Sequence, residues 1–226
     1  MKLFVAAEPR ECEPWVARWS DVHPVDLPVH WARAGKWMGR DAMAIANGAG
    51  PERAHDAVMS APKPDAVCSM GFCGALDSAM AVGDIFVATE IRNGAVSYRT
   101  ADLRGPGARR GVLTSQSRIA QTAEEKRNLR AAGAFAVEME AAGAARASEE
   151  IRAPFYCVKV VSDLADEDFV NNFNDFLMPN GKVNVTRLVL RAFADPVRRF
   201  NELIRLSKRT AVASKNLGDF LAHCDF

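Results

Sequence analysis

A chain of 226 residues, 49% hydrophobic and 25% charged, is long enough to bury a substantial core and has ordinary globular composition. Its formal net charge of +1, with no RNA-binding motif and no basic–aromatic stripe, argues against a nucleic-acid binder, and no apolar run approaches the ~20 residues that span a bilayer. The cysteines (Cys12, Cys68, Cys73, Cys157, Cys224) lack CxxC spacing and the histidines (His23, His30, His55, His223) lack ligand spacing, so reduced thiols of a cytoplasmic protein are expected, with no disulfide framework and no metal site.

Residues 2–7 read as a first buried strand; the run is too short for a signal segment and meets Glu8-Pro9-Arg10-Glu11 at once. Glu11 is expected in the turn after it, and Pro14 in the first turn of a helix running towards Trp19. An apolar run at 41–46 ends in Asn47-Gly48-Ala49-Gly50 and is followed by a helix at 51–60. A strand at 65–70 is expected to break at Gly71-Phe72-Cys73-Gly74. Another occupies 83–88, and Asn93-Gly94 signals a hairpin into 95–98. After a strand at 111–115, Thr122 and Glu125 have capping-box spacing for a helix that ends near Gly133. Val137-Glu138-Met139-Glu140-Ala141-Ala142 reads as a helix start, 155–162 as the last strand, and everything beyond Asn184 as helical. Alternating strands and helices with short connections and no internal repeat predict one α/β domain over 1–226, with 184–226 as a helical C-terminal extension.

Two places carry the chemistry. The apolar run from Phe155 ends abruptly in Ser162-Asp163, and a carboxylate at the carboxyl end of a buried strand lies where open α/β sheets place ligands. Ser and Asp also cap helices, so an N-cap is the alternative for this pair. Glu138 and Glu140 flank Met139; a carboxylate accepts hydrogen bonds from two vicinal hydroxyls, but both glutamates also suit a solvated helix.

Glu-Met-Glu-Ala, followed by Ser162-Asp163-Leu164-Ala165-Asp166, resembles the nucleoside phosphorylase/nucleosidase superfamily, especially the methylthioadenosine/S-adenosylhomocysteine nucleosidases and the hopanoid-associated phosphorylases. Gly71-Phe72-Cys73-Gly74 resembles the family's glycine loop, Val82-Gly83-Asp84-Ile85 its Val-Gly-Asp-Ile, and 217–221 the ending of the hopanoid-associated members. The resemblance implies a three-layer fold with a central mixed sheet flanked by helices. It also implies cleavage of the N-glycosidic bond of a 5′-modified purine nucleoside, with adenine as the expected base.

On this reading Asp163 protonates the purine with Ser162 orienting it, and Glu140, Met139 and Glu138 hold the ribose. Glu11 activates water, with Glu13 and Glu8 as competitors. Phe72, Cys73, Gly74 and Gly48 line the site, and Phe173 lies by the 5′ substituent or else in the core. No cofactor is implied, phosphate being the one co-substrate to consider, and a homo-oligomer is expected by similarity.

Three departures matter. Ser69 and Phe72 stand where phosphate-using relatives place an arginine and a serine, which favours water over phosphate and leaves Arg10, Arg40 and Lys159 as other sources of charge. The segment 93–110 is short, and Arg118 falls where relatives stack an aromatic on adenine. The tail interleaves apolar residues with arginines and lysines, which reads either as basic amphipathic helices at an anionic membrane surface or as a last helix with a solvated basic face. The short segment and basic tail together suit a large apolar 5′ substituent, as in adenosylhopane. The alternatives are a phosphate-dependent phosphorylase and a non-catalytic nucleoside- or lipid-binding module.

Overall fold

The computed structural model describes residues 1–103, 105 and 107–224. The first half of the chain contains β1 (Lys2–Ala6), α1 (Pro9–Val16), β2 (Ser20–Pro24), β3 (Trp31–Trp37), β4 (Arg40–Ala46), α2 (Pro51–Ser60), β5 (Ala66–Ala75), β6 (Ile85–Asn93) and β7 (Val96–Arg99). The second half contains β8 (Arg109–Ser115), α3 (Ala123–Ala131), β9 (Ala136–Glu138), α4 (Ala141–Glu150), β10 (Phe155–Asp163), a 3₁₀ turn (Phe173–Phe176), α5 (Val185–Ala192) and α6 (Pro196–Leu221).

Strand β1 is apolar on both faces: Leu3 and Val5 enter one core, Phe4 and Ala6 the other. Such a strand belongs inside a sheet, and β1 lies between β4 and β5, parallel to both. Beyond β4, β3 and β2 continue antiparallel. On the far side β5 pairs with β10, β10 with β6, β6 with β8, β8 with β9, and β9 returns to the end of β5. The mixed sheet therefore closes into a five-stranded ring extended by β1, β4, β3 and β2, and β7 hairpins onto β6.

Helices cover both faces, so the expected three-layer α/β architecture holds. On one face α1 and α6 bury Trp15, Leu217 and Leu221 against Phe4, Met70 and Val158. On the other α2 and the alanine-rich α4 pack on Val5, Ile45 and Val161. Phe4, Trp15, Trp19 and Trp37 interlock, mostly edge to face, with the centroids of contacting rings no more than 6.0 Å apart.

Several local expectations change. Helix α1 begins at Pro9, not near Pro14, because Glu8 is its N-cap and Glu11 reaches back to the Glu8 N–H at 2.7 Å. Glu11 thus sits in the first helical turn rather than in a loop. The 71–74 segment does not break β5: β10 pairs along it, Lys159 opposite Gly71 and, past a bulge at Ser162, Asp163 opposite Gly74. Residues 137 and 138 finish β9, and α4 starts only at Ala141. Strands β2 and β3 were not anticipated; β2 is exposed along its length and shows no alternation to read. The short 93–110 segment includes Arg104 and Pro106, which lie outside the described residues.

Candidate active site

Strands β1, β5 and β10 run parallel, so their carboxyl ends reach one edge of the sheet, where β9 meets β5. A cavity of about 530 Å³ opens there. It is lined by Glu11, Glu138, Met139, Glu140, Ser162 and Asp163, and also by Phe72, Cys73, Gly74 and Phe173. The acidic groups separated in sequence thus share one chamber. Gly48 does not line it; its Cβ would stand 2.5 Å from the Asn180 carbonyl, so Gly48 packs against the 180–181 turn while neighbouring Ala49 faces the cavity.

Glu11 is buried, its Oε1 accepting from the Phe72 N–H at 2.8 Å. Burial, then repulsion from Glu8, raises its pKa above the ordinary carboxylate value. The carboxylate presses so closely on β5 that a Cβ at Gly71, whose φ is +131°, would lie 2.5 Å from Oε1. Glycine at position 71 is thus what lets the acid reach the strand.

Glu138 and Glu140 divide their roles. Glu138 accepts from the backbone N–H groups of Glu140 and Ala141 at 2.9 Å, satisfying the start of α4, and pairs with Lys159 Nζ at 2.8 Å. Burial opposes its charge, but Lys159 outweighs it and holds the carboxyl below its ordinary value. Glu140 lies 3.9 Å from the same ammonium and accepts from Gly50 N–H at 3.1 Å. Burial, then the Glu138 charge, raises its pKa to about 8. Burial also opposes the charge on Lys159, yet Glu138 and the groups around it keep its pKa above the ordinary lysine value. Both glutamates line the cavity, and Glu138 also holds the start of α4 and Lys159.

Asp163 ends β10 with both oxygens held. Lys126, fully buried on α3, donates to Oδ2 at 2.6 Å and to the Leu164 carbonyl at 2.6 Å. Ser162 Oγ stands 2.9 Å from Oδ1 and 3.2 Å from the Cys73 carbonyl. A Cβ on Gly74 would meet Oδ2 at 2.8 Å, so this position too needs its small residue. Lys126 went unread in the sequence because α3 has several cations and no apolar stripe to show which one turns inward. Lys159 was considered only as a charge for phosphate, although a lysine inside an apolar strand is itself a sign of a buried ion pair.

The remaining positions are mixed. Met139 is a buried part of the lining, and burial followed by the Asp163 charge pushes the Cys73 thiol well up, leaving it a neutral wall. Arg10 lines the mouth with its guanidinium 5.5 Å from the centre of the Phe72 ring and paired with Glu8. Arg118 lines the cavity and pairs with Glu125 at 2.7 Å, whereas exposed Arg40 is not part of the lining. Phe173 touches Phe169 edge to face at 5.3 Å, and Phe176 is buried. Past these rings the chamber turns apolar, walled by Leu177, Val183, Val185, Leu188, Leu203 and Leu206.

The Phosphorylase superfamily profile matches residues 107–194, which bears out the resemblance read from the sequence. More particularly, the chain is similar to the 5′-methylthioadenosine/S-adenosylhomocysteine nucleosidase of Bacillus subtilis, 24% identical over 191 residues covering 70% of this chain and 82% of that protein. The fold matches the Neisseria meningitidis nucleosidase of the same name, solved with methylthio-immucillin-A, at a TM-score of 0.74 with 20% identity, covering 98% of this chain and 96% of that one. It also matches futalosine hydrolase of Helicobacter pylori at 0.72 with 15% identity, covering 97% and 94%.

Proposed function

We propose that this chain is a nucleosidase that cleaves the N-glycosidic bond of a 5′-modified adenine nucleoside. The observation that carries the reading is the convergence of Glu11, Glu140 and Asp163 on one chamber. Similarity to nucleosidases supports the reaction class.

Asp163 supplies a proton to purine N7 as the bond between C1′ and N9 breaks and its electrons pass into the base. Glu140 accepts hydrogen bonds from the ribose hydroxyls, and its negative charge is favoured most as the sugar turns cationic. Glu11 takes one proton from the water whose oxygen bonds to C1′; a raised pKa makes it a better proton acceptor near neutrality. The products are the free base and the 5′-modified ribose. Lys126 acts through Asp163 as a positioning residue, fixing Oδ2 and stabilising the carboxylate that forms as the proton leaves.

The apolar half of the chamber supports a large apolar 5′ substituent. Adenosylhopane, and with it a place in hopanoid biosynthesis, is one substrate of that kind. Arg10 at the mouth is the observation that favours phosphate as an alternative nucleophile. Adenine release measured in phosphate-free buffer and with added phosphate separates the two: hydrolysis predicts equal rates, and strict dependence on phosphate sinks it. Tight binding of a nucleoside with no release of base from any of a panel would leave a binding module instead.

A further inference from the structure

Helix α5 has three sectors. At about 100° per residue, Leu188 and Ala192 share an edge and are buried, Leu188 lining the cavity. Around the helix from that edge come Val185, Val189, Phe193 and Leu190, respectively 62%, 36%, 65% and 66% exposed. The remaining sector carries Arg187 and Arg191, both exposed. Val197, in the first turn of α6, is 72% exposed. So many large apolar side chains on one exposed stretch mark a surface that something else covers.

Two further observations say what covers it. Val185 stands exposed while also lining the cavity, so the apolar wall of the chamber runs over its rim onto the surface. The charge beside it is one-sided: Lys182, Arg187, Arg191, Arg198 and Lys208 are exposed. The acids of residues 182–209 are Asp195, which caps α6, and Glu202, which is buried on the Val170 and Asn171 backbone. A twofold pairing of this face with a second copy would set these cations against themselves. Lipid phosphates would complement them.

We propose that this face docks on an anionic bilayer, with Val189, Leu190, Phe193 and Val197 at the acyl boundary and the basic sector against the headgroups, so that the cavity opens at the lipid surface. Docking rests on the exposed face alone; its use as an entry route for an apolar substituent rests on the proposed reaction.

The test is co-sedimentation of the full chain with phosphatidylcholine vesicles and with vesicles containing phosphatidylglycerol, at low and high salt. Leu190→Glu/Val197→Glu serves as the variant, since neither residue lines the cavity. Wild type is expected to pellet with the anionic vesicles at low salt and roughly tenfold less with neutral vesicles, at high salt, or as the variant. Failure of wild type to pellet with anionic vesicles at low salt, or pelleting of the variant as wild type, overturns the proposal. So does self-association that the variant abolishes without vesicle binding, which would give the face to a second copy. Adenine release from a water-soluble nucleoside, measured on the same samples, keeps the two readings apart. The folded variant is expected to retain this activity, whereas a wild type that binds vesicles but releases no adenine would sink the reaction and leave the docking intact.

Discussion

The polar and apolar ends of the chamber are built in opposite ways. At the polar end each acid is held from several sides: Glu11 by two backbone N–H groups, Glu138 by the start of α4 and Lys159, Asp163 by Lys126 and Ser162. The supports are strand ends and helix starts, and the buried cations offset much of the desolvation cost of gathering acids. At the apolar end the walls come from α5, α6 and the 177–185 segment, and the side chains they present to the chamber are mainly aliphatic. Chemistry needs acids fixed to within a fraction of an ångström, whereas accommodating a substituent needs only volume and apolar surface.

The largest effect that would test this contrast belongs at Asp163. Asp163→Asn is expected to lower adenine release by roughly 10²–10⁴-fold while nucleoside affinity by calorimetry stays near wild type. A wild-type rate would remove Asp163 from the mechanism. Lys126→Met, which keeps the carboxylate but not its partner, is expected to cost less, about ten- to a hundredfold in kcat with KM unchanged. Loss in KM alone would make Lys126 merely structural.

Next comes stability. Lys159→Met leaves two buried glutamates without their cation and is expected to destabilise the fold by about 3–5 kcal/mol, read from the urea midpoint. Adding Glu138→Gln is expected to restore part of it; a double variant as unstable as the single one would argue against charge compensation.

A smaller effect is the pH dependence of the empty protein. Because the Glu140 pKa is raised to about 8 in the fold, its protonated form contributes stability that is present below its unfolded value. That contribution is lost as pH rises towards 8. Glu138, with its pKa lowered, works in the other window: it contributes above its unfolded value and the contribution is lost on acidification. Glu140→Gln is expected to flatten the decline in thermal midpoint between mildly acid and mildly alkaline pH, and an unchanged slope would contradict the assignment. The smallest effect lies at the apolar end. Leu206→Ala is expected to raise KM about tenfold for a nucleoside with a long apolar 5′ group and to leave adenosine almost untouched.

Much of the architecture was legible because it follows local rules. The buried strands at 2–6 and 155–163, the helix at 51–60, the Thr122 cap and the Asn93-Gly94 hairpin each carry their own signal of periodicity or turn chemistry. Where the reading went astray, a distant pairing or a nearby cap overrode the signal read. Gly71 and Gly74 looked like a break until β10 lay alongside them, and a proline at 14 looked like a helix start until Glu8 and Glu11 had closed a cap upstream.

On its own, the sequence determined the order of strands and helices apart from β2, β3 and β9, the motifs marking Glu140 and Asp163, and the basic amphipathic tail, since each is written in neighbouring residues. Only the tertiary structure decided which cation each acid meets, that Glu138 holds the start of α4 as well as lining the chamber, and that α5 forms the chamber's rim. Lys126 and Asp163 are 37 positions apart, Lys159 and Glu138 are 21 apart, and Glu11 meets Phe72 across 61. A buried charge is stabilised by whatever the fold brings within about 3 Å of it, and no local pattern encodes that distance.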